Sequence, residues 1–190
     1  MTAPISSKVT ACRSTTSYPG GIPVALAMTY LRLPPTLEGE TDPGRISRLV
    51  FGSADWRKRQ AADHLLDIGE LWQGLNYLIT GDPWDGKPPA SDVVCGGRLL
   101  TEDGADELGM DVLYLTPDRV KPVADHLSST DFGAIAGRYN AKKMASLDVQ
   151  GAADWPKDAR DRTFRPAYEA LTGFYAAAAT EGQAIYKIMA

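Results

Sequence analysis

An α+β fold, with a small, mainly antiparallel sheet of about three strands covered by several helices, is the class this sequence predicts. Three observations carry that expectation. The runs "IPVALAMTYLRL", "MDVLYLTP" and "QAIYKIMA" are apolar and rich in β-favouring residues, and stretches with helical spacing separate them. The strict β-α-β alternation of a doubly wound sheet is missing. The chain has 190 residues, 44% hydrophobic and 23% charged, which is enough to bury one core, and no repeat or linker divides it.

The elements follow in chain order. Residues 1–22 are rich in serine and threonine and run into Pro19-Gly20-Gly21, so they are expected to form a flexible tail ahead of a single domain over 23–190. Lys8 and Arg13 before "IPVALAMTYL" faintly echo a secretion signal. Thr29 interrupts that run, however, and no small-residue cleavage site follows it, so it is read as the first strand. Pro34-Pro35 ends the strand. Short helices are expected around Arg45–Phe51 and Ala54–Leu66.

In "LDIGELWQGLNYLITG", Asp67 is expected as N-cap and Glu70 as its capping-box partner. Leu71, Trp72, Leu75, Leu78 and Ile79 then form one apolar stripe of a buried helix, which Gly81 closes in a left-handed conformation. "PASDVVCGG" predicts a short helix stopped by Gly96-Gly97. After the strand "MDVLYLTP", Thr116 is the N-cap and Pro117 the first helical residue, with Val120, Val123, Ala124 and Leu127 on the buried face. Two short helices, "TDFGAIAGRYN" and "AKKMASL", follow. A long helix from about Pro166 to Thr180 then carries Tyr168, Leu171, Tyr175 and Ala178 on one face, and Gly182 ends it.

Composition excludes several function classes. A net charge of −4 argues against a nucleic-acid partner held through its phosphates. No apolar run approaches the roughly 20 residues that span a bilayer. Cys12 and Cys95 make neither a disulfide framework nor a metal-ligand pattern, and a cytoplasmic location with free thiols is the expectation. His64 and Asp67 lack further ligands at matching spacing, and His126 suits a helix end, so no metal and no cofactor are expected.

The stretch "ITGDPWDGKPP" contains Gly81-x-x-x-x-Gly86-Lys87, close to a phosphate-binding loop. Such a loop needs a preceding strand, a following helix and a Ser or Thr after the lysine. Here a helix precedes, Pro88 holds the Ser/Thr position, and Pro83 removes a backbone donor. The match is accidental.

From about Met28 to the C-terminus the chain resembles the YfbM-like bacterial family, a domain of unknown function. The resemblance rests on "LDIGELWQGLNYLITG", "PASDVVCGG", "YLTPDRV", "RYNAKKM" and a final long helix before "QAIYKI". Leu66-Asp67-Ile68, Trp72, Leu75, Leu78 and Thr80-Gly81 stand at the family's signature positions, and Ser91 and Gly96-Gly97 match its following segment. The chain departs from the family pattern at Glu70, Gln73, Asn76 and Tyr77, with Asn76 where many members carry histidine. The resemblance implies an α+β fold and a soluble bacterial protein, with no established activity.

A candidate binding cleft beside the signature helix is drawn from Asp67, Trp72, Asn76, Tyr77, Trp84, Ser91, Asp92, Arg138 and Tyr139. The leading expectation is a non-enzymatic binding protein whose partner is another protein or a small molecule. The rival is an enzyme using Asp67 or Asp92 as acid or base, Arg138 as anion clamp and Tyr77 or Tyr139 as orienting donor, which requires those groups to converge in one pocket.

Overall fold

The computed structural model describes residues 25–100 and 110–190, apart from the side chains of Phe51 and residues 53–56. The expected tail, 1–22, lies outside them. The described chain forms a five-stranded antiparallel sheet and seven α-helices, so the sheet has five strands rather than about three. In chain order the strands are β1 (Met28–Leu33), β2 (Leu65–Gly69), β3 (Arg98–Leu99), β4 (Asp111–Leu115) and β5 (Ala184–Met189). Their spatial order is β2-β1-β5-β4-β3. The three runs read as strands are the three central ones, and the two unread strands are the edges.

β5 is sandwiched on both faces, and all six of its residues are buried. Period two along the strands sorts side chains between two layers. Met28, Tyr30, Leu113, Leu115, Ile185 and Met189 join the large core under most of the helices. Leu31, Val112, Tyr114, Tyr186 and Ile188 face a smaller core with Ile46 and Val50. Those last two belong to helix α1 (Pro43–Phe51), whose first turn is capped by the carboxylate of Asp42, accepting from Gly44 and Arg45 N–H.

Helix α2 (Ser53–Ala61) stops short of the expected Leu66, because Leu65 and Leu66 pair with Leu31 and Tyr30 in the sheet. The same pairing moves the start of α3 (Trp72–Thr80). Asp67 is a strand residue whose carboxylate accepts from Gly69 N–H at 2.8 Å, so the expected capping box does not form. Gly81 does take the left-handed position, at φ 90°, with its N–H donating to Tyr77 C=O. "PASDVVCGG" supplies only one 3-10 turn, Ser91–Val93.

Helix α4 (Pro117–Ser129) buries Val120, Val123, Ala124 and Leu127 as its spacing predicts, although the Thr116 side chain makes no capping bond. Helices α5 (Phe132–Ala136), α6 (Ala141–Ser146) and α7 (Arg165–Thr180) also lie where the sequence places them. A π-helical segment, Arg160–Phe164, leads into α7, which packs along α4 and borders the edge strand β2.

Candidate functional site

Helix α3 is apolar enough, and deep enough, to be buried from Trp72 to Ile79 on every side. Its polar residues therefore require internal partners. Trp72 donates its indole N–H to Leu26 C=O at 3.0 Å. Asn76 is fully buried and donates its amide to Asp82 C=O at 2.9 Å, tying down the loop after the helix. The carboxylate of Asp82 in turn accepts from the N–H groups of Trp84 and Asp85. This turn aims Trp84 back at the helix, where its ring meets Trp72 edge-on at 5.7 Å. Asn76 Oδ1 and Gln73 Nε2 are buried without a hydrogen-bond partner among the described residues. Each such atom costs about 1–3 kcal/mol.

Two further candidates lie against the same helix through different contacts. The Arg138 guanidinium donates to the carbonyls of Leu78 and Ile79, closing the C-terminal end of α3, where backbone acceptors lack intrahelical donors. Tyr139 stacks near Trp155 at 6.4 Å and donates its hydroxyl to Pro156 C=O at 3.3 Å. Burial raises the Tyr139 pKa. Tyr77 is buried. Asp67 is exposed on the edge strand.

Ser91 and Asp92 belong to a buried polar hub that the sequence reading misses. Asp92 is 3% exposed, and its carboxylate takes both a 3.0 Å bond from Arg119 Nε and a second bond from the same guanidinium. Behind it, the ammonium of Lys187 donates to the carbonyls of Asp92, Val94 and Gly96 at 2.6, 3.0 and 2.7 Å. Lys187 has no exposed surface. Tyr175 donates to Val93 C=O at 2.8 Å, and Tyr30 donates to the same carbonyl at 3.0 Å. Burial, reinforced by the negative charge of Asp92, drives the Tyr175 pKa well above the usual value. The overlooked signal was a lone lysine in "AIYKIM", on the same face of the strand as Ile185 and Met189.

The candidates thus divide into separate groups. Trp72, Asn76 and Trp84 lie together, Ser91 and Asp92 form part of the hub, and Arg138 and Tyr139 hold helix ends and packing contacts. The cation facing Asp92 is Arg119, not Arg138. Among the described residues no group of three His, Cys, Asp or Glu side chains has metal-holding geometry. No helix among them is long and apolar enough to cross a membrane.

An open groove of about 400 Å³ lies elsewhere, between the edge strand β2 and the outer face of α7. Leu65, Leu66 and Phe174 supply its apolar surface, and Asp63 and Glu169 its exposed carboxylates. Ala170, Gly173 and Ala177 keep its helical wall low. Arg32 also borders it but is already engaged, with Glu181 at 2.8 Å and with the Asp63 and Gln183 oxygens.

The fold is similar to that of a solved structure, the protein of unknown function YfbM from Escherichia coli. The likeness has a TM-score of 0.57 at 17% sequence identity, covering 86% of this chain and 99% of that one. No curated protein matches the sequence significantly. The family model described as "Domain of unknown function (DUF1877)" matches residues 27–187. With nearly all of the domain inside that match, the chain belongs to the DUF1877 family.

Proposed function

We propose that this protein is a non-enzymatic binding protein and that the groove between β2 and α7 receives its partner. The groove itself carries the reading. It combines half-exposed leucines, exposed carboxylates and the edge of a sheet in one concave surface, the usual composition of a recognition site. The polar side chains around α3 support the same reading from the other side, because their donors and acceptors hold the fold together.

Gly173 provides the test. It is exposed on α7, and a Cβ added there meets nothing within 4 Å, so a larger side chain enters the groove without disturbing the helix. Tagged wild-type protein and Gly173→Arg would be used to co-purify partners from lysate of the native host at moderate salt. Mass spectrometry would then identify bound proteins and extracted small molecules. A stoichiometric partner retained by wild type and lost by Gly173→Arg is expected. Identical retention by both proteins would sink the groove as the binding site.

A further inference from the structure

The groove has a backbone wall as well as side chains, and the pairing of β2 determines which of its groups point outwards. Leu65 pairs with Leu31, Leu66 with Tyr30 and Asp67 with Thr29 in an antiparallel ladder. One residue beyond Leu31, Arg32 N–H donates to His64 C=O at 3.0 Å. In an antiparallel pair, residues alternate between those that exchange hydrogen bonds with the partner and those whose polar groups point the other way. His64 and Leu66 therefore face β1. Leu65 and Asp67 turn their backbone N–H and C=O groups to the outer side, where β2 has no neighbouring strand among the described residues. A sheet edge of this kind is a template for another extended chain.

The charges beside that edge favour one kind of chain. Asp63 lies just before β2, Asp67 is within it, and Glu169 stands on α7 across the groove, all three exposed. The bordering cation, Arg32, is offset by Glu181 at 2.8 Å. Leu65 and Leu66 stay partly exposed on opposite faces of this edge, Leu66 towards α7 and Leu65 on the face of Asp67. Building on the binding function proposed above, we propose that the groove captures an extended segment of a partner protein, which adds as a sixth strand to β2. Its basic side chains meet Asp63, Asp67 and Glu169, and its apolar ones cover Leu65 and Leu66. Backbone hydrogen bonds at Leu65 and Asp67 supply affinity in this mode, and alternate side chains supply selectivity.

The test begins with a phage-displayed random-peptide library selected on the full chain, followed by anisotropy measurements on synthetic versions of the enriched peptides. Enriched sequences should place Lys or Arg beside alternating apolar residues. Their binding should slow amide exchange at Leu65 and Asp67. The double substitution Asp63→Asn, Glu169→Gln should weaken them by about tenfold, since it removes charge at the groove rim. Asparagine tolerates the left-handed backbone at Asp63, φ 55°, so the variant retains its fold.

Enrichment of peptides without basic residues, failure to enrich any, or binding that leaves Leu65 and Asp67 unprotected would each overturn strand addition. The Gly173→Arg co-purification separates this failure from the broader one. Partner loss in that variant without peptide protection leaves groove binding intact and removes only the sixth strand. Retention in that variant together with no peptide binding removes both.

Discussion

The Lys187 ammonium, on the central strand β5, lies 2.6 Å from the carbonyl oxygen of Asp92, and the two residues are 95 positions apart in the chain. The bond fastens the last strand to the turn that follows α3, and the ammonium also donates to the carbonyls of Val94 and Gly96. Replacing Lys187 with methionine keeps the stem and removes the donors, which leaves backbone acceptors buried without their cation. The expected loss is roughly 3–5 kcal/mol. At about 2–4 °C per kcal/mol for a domain of this size, that is a fall in Tm on the order of 10 °C. Thermal denaturation followed by circular dichroism checks it, and an unchanged Tm would remove the hub from the account of stability.

Trp84 separates packing from recognition. Its ring sits edge-on to Trp72, and its loop is held by Asp82 and Asn76. Trp84→Ala is therefore expected to lower stability by about 1–3 kcal/mol, from lost apolar burial and the aromatic pair. It should leave binding in the β2–α7 groove unchanged. Urea titration gives the first quantity and anisotropy with a groove-binding peptide the second. A variant of full stability and lost binding would reverse the assignment.

Gly173 is an exposed glycine in the interior of the long helix α7, with open space around the position of a Cβ. Alanine there gains helix propensity and reduces the entropy of the unfolded chain. Gly173→Ala should stabilise the protein by about 0.5–1 kcal/mol. A rise of a few degrees in Tm is the outcome to look for, and a fall would show that the backbone at this position needs glycine.

Alkaline pH should unfold the protein through its buried tyrosines. Burial first, and the nearby charge of Asp131 second, push Tyr168 up to about 12 from its ordinary 10. Burial, and after it the charge of Asp92, also raise Tyr175 well above its ordinary value. Both hydroxyls donate hydrogen bonds in the fold, Tyr168 to Thr130 C=O at 2.7 Å and Tyr175 to Val93 C=O. A folded pKa above the unfolded one means that the native state holds its proton more tightly. The resulting stability is complete below about pH 10 and is lost as pH rises through about 12. Tyrosinate absorbance and circular dichroism, recorded together along a base titration, should change in one step for these residues. Ionisation of every tyrosine at the ordinary value, with the fold intact, would contradict the burial argument.

The sequence by itself determined the elements whose signals are local. The central strands β1, β4 and β5 are long apolar runs, α4 and α7 carry a clear helical period, and Gly81 marks the end of α3. These features hold because local burial and backbone preference agree with the final fold. Residues Leu65–Gly69 lacked that agreement. Read alone, Asp67 and Glu70 make a good helix start, but pairing with β1 outweighed the cap and made a strand. The two-residue β3 was too short to carry a period at all.

Tertiary structure alone decided the surroundings of the candidate residues. It set Asp92 against Arg119 rather than Arg138, spent Asn76 on its own loop, and sank Lys187 beneath carbonyls from a distant turn. It also created the groove, because β2 and α7 lie about 100 residues apart in sequence and meet only at the edge of the folded sheet. Hydrogen-bond partners and concave surfaces belong to pairs of distant segments, and a linear pattern records each segment without its partner.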